Sequence, residues 1–417
     1  MTANARAAID DLRGSPAQRR SLIVLGVAQV LSGAGLAAGV TVGSLLAQDM
    51  LDSTSLAGLP SALGTAGSVL GAVVVGRLSH SHGRRPGLAA GYLAGAVGSA
   101  GVIVAAISEQ PLLLFLALFV YGVGMATTLQ ARYAGADLAA PTRRARAVST
   151  VLVATTLGAV VGPNLAAPTG DLARALGVPH LAGPFLLAGV AYAMAALVLL
   201  VWLRPDPLLL ARSLEAGRQA VADGQPGTRP SLRAHRPELL VGALVMALTQ
   251  LVMVAIMTMT PIHMHDHGHG TAATGMVIAV HLGAMYLPSP LAGWLVDRYN
   301  RPAIATAAGF TLLAAGIVAA SAPDDSVALL AVALALLGLG WNLGLVTGTA
   351  IITDVAPPAT RARTQGLVDV VIAVAGAGGG MVSGLVVAAA GFPVLALGGG
   401  LLALAVVPMV VVAARNG

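Results

Sequence analysis

The chain has 417 residues, of which 57% are apolar and 10% charged, with 52 glycines, no cysteine and a net charge of +6. That balance excludes a string of ordinary soluble domains and fits a polytopic membrane protein, where glycine is tolerated because helices pack closely in lipid. Without cysteine there are neither disulfides nor thiolate metal sites. The basic excess is explained by topology and gives no reason to expect a nucleic-acid partner.

Residues 1–20 are polar and carry Arg6, Arg13, Arg19 and Arg20. They read as a cytoplasmic tail rather than a cleaved signal. Apolar runs long enough to cross a bilayer as helices follow at 21–47, 57–78, 87–106, 111–136, 147–168 and 184–203. Six more lie at 239–260, 272–295, 303–321, 327–350, 364–389 and 393–414. Arginines then alternate with acids between the runs. Arg77, Arg84 and Arg85 follow the second span, Arg143, Arg144 and Arg146 the fourth, Arg298 and Arg301 the eighth, and Arg361 and Arg363 the tenth. The intervening loops carry Asp49, Asp52, Glu109, Asp171, Asp266, Asp324 and Asp325, with Arg174 as their one basic residue. This is the positive-inside pattern with both termini in the cytoplasm. The expected fold is an all-α membrane protein of twelve transmembrane helices. A six-helix half at 21–203, a cytoplasmic linker at 204–238 and a second half at 239–417 make up the chain.

An internal repeat at an offset of 217 supports the halves: Gly76 matches Gly293, Arg84 matches Arg301, Asp137 matches Asp354, and Arg144-Ala145-Arg146 matches Arg361-Ala362-Arg363. The loop sequences GRLSHSHGRR (76–85) and GWLVDRYNR (293–301) resemble the signature that the major facilitator superfamily carries after its second and eighth helices. The resemblance implies two parallel six-helix repeats and a solute site near the midplane. The first copy departs from the signature, with His80 where the second has Asp297.

The most informative stretch runs from Met253 to Met285. Met253 and Met257 are four apart in the seventh span, and His281 and Met285 four apart in the eighth, so each pair shares a helix face. Thioether and imidazole are ligands for soft or borderline transition metals, and an intramembrane histidine is costly to keep. Met is also a common gap-filler, and a lone His often makes a single interhelical hydrogen bond. Gln250 and Met246 extend the stripe and direct it toward an interior cavity, which Asn164 and Asn342 are expected to share. Between the spans, His263, His265, His267 and His269 alternate. In an extended segment they would point one way and form a capture site for metal outside the cell; as a solvated loop they would do nothing. Met-x-x-x-Met with His-x-x-x-Met resembles the CcoA-type bacterial copper importers. That resemblance implies Met253, Met257, His281 and Met285 as ligands to copper in transit, and cytochrome oxidase biogenesis as its use.

GAVVGPNL (158–165) resembles part of the Gly-Pro motif of antiporters in the same superfamily, and keeps open a proton-coupled exporter of drugs or small metabolites. Near the cytoplasmic side, Arg84, Asp137, Asp297, Arg301, Asp354 and Asp369 are the gating or coupling residues, with Arg132–Asp137 and Arg361–Asp354 as expected ion pairs. Asp369 is an acid within a late helix and a candidate proton carrier. No nucleophile–base pair or nucleotide loop points to an enzyme. The expectation is thus a monomeric secondary transporter in the bacterial inner membrane. Its partners are lipid and copper ion or chelate, and it holds no permanently bound cofactor.

Overall fold

The computed structural model describes residues 16–51, 59–222, 236–323 and 325–410. Among them the backbone is helical with short connections and no strand. In chain order the helices are α1 (Pro16–Leu51), α2 (Leu59–His82), α3 (Arg84–Ser108), α4 (Pro111–Ala136), α5 (Arg144–Asn164), α6 (Ala166–Ala175) and α7 (Gly183–Trp202). Then come α8 (Pro207–Ala222), α9 (Arg236–Asp266), α10 (Thr271–Tyr286), α11 (Ser289–Arg298), α12 (Arg301–Ser321), α13 (Val327–Val355), α14 (Arg361–Ala390) and α15 (Phe392–Ala403).

The ends follow local chemistry. Proline sits in the first turn of α4, α11, α12 and α15, where its missing N–H costs nothing. Asn300 and Ser326 cap α12 and α13 by accepting from Ala303 N (2.9 Å) and Leu329 N (3.3 Å). Among the described residues, ten helical stretches are long and apolar enough to span a membrane. The first and fifth expected spans correspond to α1 and α5. Leu112, Met381 and Leu385 are more than 70% exposed, an arrangement that lipid tolerates and water does not.

Two spans and the linker differ from expectation. The seventh, expected at 239–260, continues as helix to Asp266, passing Pro261. The eighth is two helices, α10 and α11, broken at Leu287-Pro288 because Pro288 and Pro290 lack the N–H groups that would continue the ladder. The linker contains α8, whose start is capped by Asp206, with Oδ1 accepting from Leu208 N (3.0 Å) and Leu209 N (3.1 Å).

The chain forms two compact units whose membership exchanges two segments. The first comprises Met1–Ala140, Thr150–Arg229 and Pro357–Val370; the second comprises Pro141–Ser149, Pro230–Ala356 and Val371–Gly417. A division at the linker alone therefore misses that residues 357–370 pack with the first unit and 141–149 with the second. In the first unit Leu25, Tyr92, Tyr121, Phe185 and Tyr192 build the core, with Tyr121 edge-on to Phe185 and Tyr192. In the second, Val245, Ala305, Val406 and Val410 form a cluster backed by Val241 and Leu248.

Candidate functional site

Each unit holds a carboxylate between two arginines, one from its own repeat and one from the exchanged segment. In the first unit Arg84 Nε donates to Asp137 Oδ2 at 2.8 Å, and Arg361 Nη1 lies 3.7 Å from Asp137 Oδ1. Arg84 also donates to Gln365. In the second unit Asp354 pairs with Arg301 and with Arg144. These are the same pairs related by the sequence repeat. The expected pairs Arg132–Asp137 and Arg361–Asp354 are not those formed. Each exchanged arginine reaches the carboxylate of the other repeat, because the exchanged segment is packed there, and Arg132 pairs with Asp369 instead.

The repeat also fixes a close backbone approach. A Cβ on Gly76 would fall 3.0 Å from Gly366 Cα, and one on Gly293 would fall 2.4 Å from Ser149 Oγ and 2.8 Å from Ala145 O. Both glycines let the start of an exchanged helix lie against the backbone.

The units differ where the loop signature differs. Asp297 accepts from the backbone N–H groups of Ala145 and Arg146, both at 3.0 Å, so its carboxylate sits at the N-terminus of α5. His80 makes no such contact. Arg212, from linker helix α8, instead donates to His80 O (2.8 Å), to His80 Nδ1 (3.2 Å), to Pro358 O (2.9 Å) and to Ala359 O (3.2 Å). Sequence reasoning missed Arg212, since a linker arginine carries no motif that distinguishes it from its neighbours.

The Met/His stretch lies wholly in the second unit. His281 is fully buried on α10; its Nδ1–H donates to Leu334 O of α13 at 2.8 Å, and its buried Nε2 has no partner. Met285 and Met253 are also buried, while Met257 is half-buried. On α9, Met246 sulfur accepts from Thr349 (3.6 Å), and Gln250 Oε1 accepts from the Trp341 Nε1–H (2.7 Å). Met253 and Met257 occupy the next two turns of the same helix. Met246 and Gln250 are engaged with α13. Asn342, expected to line a cavity, is fully buried and braces the break in the eighth span: its amide donates to Met285 O and Ser289 Oγ, both at 2.7 Å. Tyr286 meets Trp341 edge-on, ring centroids 5.8 Å apart. Asn164 ends α5, and its side chain lies outside those described.

The histidine tract is not extended. His263 and His265 sit in the last turn of α9, and Gly268, at φ 78°, follows the end of that helix. Helical spacing therefore brings His263 and His267 together, ring centroids 4.4 Å apart, and His263 stacks on Phe392 at 4.3 Å. His265 and His269 fall outside that pair. Among the described residues no three His, Asp or Glu side chains gather around one point.

Comparison with known proteins gives the context. A sequence profile of the Major Facilitator Superfamily matches residues 25–341 and 243–416. Two transporters of Bacillus subtilis, YdeG and YddS, both described as uncharacterized and of MFS type, are 55% and 51% identical; each match covers 94% of this chain and 91% and 90% of theirs. The riboflavin transporter RfnT of Brucella anthropi is 31% identical over 85% of this chain and 86% of its own. In fold, the chain is similar to the human organic anion transporter MFSD10 (TM-score 0.76, 18% identity, 95% of this chain and 100% of that one). It is also similar to the proton:xylose symporter XylE (TM-score 0.73, 15% identity, 94% of both chains). Helices, repeat, loop signatures and relatives agree: this chain belongs to the major facilitator superfamily and is a multi-pass secondary transporter.

Proposed function

We propose that this transporter carries copper inward across the bacterial cytoplasmic membrane by alternating access, with Met253, Met257, His281 and Met285 as the ligands in transit. The observation that carries this reading is His281. Its Nδ1–H is spent on the Leu334 carbonyl, which fixes the tautomer and leaves the Nε2 lone pair buried and unpartnered. A histidine prepared for a metal has that arrangement, with one nitrogen tied to a carbonyl and the other presented. Met285 lies one turn on along the same helix. Three thioethers and an imidazole suit Cu(I) better than a hard cation. The test is cellular content of copper, zinc, nickel, manganese and iron with and without the protein. Copper alone should rise, and the rise should vanish in Met257→Leu/His281→Gln at matched membrane abundance. Unchanged copper in cells holding the wild-type chain refutes the reading.

A second reading is favoured by a different observation. Trp341 and Tyr286 meet edge-on beside Gln250, and a planar heterocycle stacks on such rings while an amide reads its polar edge. The relative that transports riboflavin makes a flavin-like solute the cargo to try. Riboflavin accumulation that Trp341→Leu abolishes and Met257→Leu/His281→Gln leaves intact would establish it in place of copper.

A further inference from the structure

The kink in the eighth span gathers oxygen atoms that neither cargo reading uses. Pro288 carries no N–H, so the Ala284 carbonyl loses the helical donor four residues on. Asn342 of α13 faces the kink and is fully buried. Its Nδ2 donates to Met285 O near the end of α10 and to Ser289 Oγ at the start of α11, both at 2.7 Å. Its Oδ1 is buried as well and has no hydrogen-bond partner. A buried amide with one end doubly used and the other unused is costly. The helices also press together here: a Cβ on Gly338 of α13 would fall 2.7 Å from His281 O and 3.0 Å from Met285 N. Any ligand at the kink must be small.

We infer that the kink is a site for an alkali cation, sodium by its size, bound by Asn342 Oδ1, Met285 O and Ser289 Oγ, with Ala284 O as the neighbouring carbonyl. The amide nitrogen stands in for the cation, since its two N–H groups point positive charge at both oxygens. A half-turn about the Asn342 Cβ–Cγ bond exchanges the two ends of the amide. Oδ1 then faces the same two oxygens, and three neutral oxygens converge on one point. The buried lone pairs of Oδ1 gain a partner in the same step. Oxygen donors select a hard cation over a soft one. A ligand set without a carboxylate selects a single charge, because a second would stay uncompensated in an apolar interior. The close approach at Gly338 favours sodium over the larger potassium. Helix α10 ends at Tyr286, so its negative pole lies at the site, while Pro290 removes one N–H from the first turn of α11. A cation bound here ties Met285 to Ser289 across the kink. The sodium gradient thereby sets the angle between α10, which carries His281, and α11.

The inference rests on neither cargo, and its test uses none. Trp341 adjoins Asn342, and Trp202→Phe with Trp294→Phe leaves it the single tryptophan of the chain. In that background the purified full chain is titrated with NaCl, KCl and choline chloride at one pH and one ionic strength. Trp341 emission should change saturably with NaCl, with at least tenfold lower affinity for KCl, and not at all with choline chloride. Ser289→Ala should weaken the sodium affinity at least tenfold. Asn342→Asp then separates a cation site from a mere brace. It deletes both N–H donors, so in choline chloride its melting temperature should fall below that of the wild type. It supplies two oxygens and a charge, so NaCl should bring the melting temperature back to the wild-type value. A brace alone predicts the same low melting temperature in every salt. That outcome, equal responses to the three salts, or a sodium response that Ser289→Ala leaves unchanged overturns the inference.

Discussion

The two latches are built from the same repeated residues yet are not equivalent. Around Asp137, Arg84 and the carboxylate are both sealed, at 1% and 0% side-chain exposure. Around Asp354, Arg301 and the carboxylate are 23% and 21% exposed, and Asp297 stands at the start of α5 as a second acid. The first latch has no acid at the equivalent place, and Arg212 of the linker helix serves its exchanged segment by binding carbonyls instead. The comparison teaches that a repeat preserves a charge skeleton more strictly than the means of fastening it. Where one copy has a carboxylate on backbone N–H groups, the other has a cation on backbone carbonyls.

The largest expected effect comes from removing one carboxylate at a time. Asp137→Asn leaves Arg84 buried without its counter-ion and should cost about 3–5 kcal/mol. Asp354→Asn, with solvent beside both arginines, should cost about 1–2 kcal/mol. Thermal unfolding of the two variants in the same detergent checks this. Equal losses would mean that the difference in burial carries no energetic weight.

Next in size are the two matched glycines. Gly293→Ala places a methyl 2.8 Å from the Ala145 carbonyl and should cost about 2–3 kcal/mol, while Gly76→Ala, at 3.0 Å from Gly366 Cα, should cost about 1–2 kcal/mol. The same melting series measures both, and a costlier Gly76→Ala would reverse the order of tightness.

The smallest effects sharpen the comparison most. Arg212→Gln removes donors from three carbonyls and should destabilise by about 1–2 kcal/mol, whereas Arg146→Gln, half-exposed opposite Asp297, should stay within about 0.5 kcal/mol. Restoring the repeat with His80→Asp supplies a carboxylate near the start of α14, as Asp297 does for α5. In that background Arg212→Gln should cost less than it does alone. A double-mutant cycle on melting temperature reads the coupling, and strict additivity would show that His80 and Arg212 do not serve one latch.

Much of this protein was legible in order of residues alone. Span number and type follow from apolar length, which lipid enforces because every backbone polar group must be satisfied within the helix. The repeat and its loop signatures named the superfamily, and Arg84, Asp137, Arg301 and Asp354 were identified as latch residues. The partners were not legible, because ion pairing depends on which segment is exchanged, and Arg361 reaches Asp137 rather than Asp354 only through packing. Likewise the histidine tract has period two in sequence, but the helix of α9 runs on through it and pairs His263 with His267 instead. The same holds for the four candidate copper ligands: sequence placed each pair on one helix face. Only the tertiary structure decided that Leu334 takes one nitrogen of His281 and leaves the other bare, because a hydrogen bond to a distant carbonyl exists only once α10 and α13 have packed.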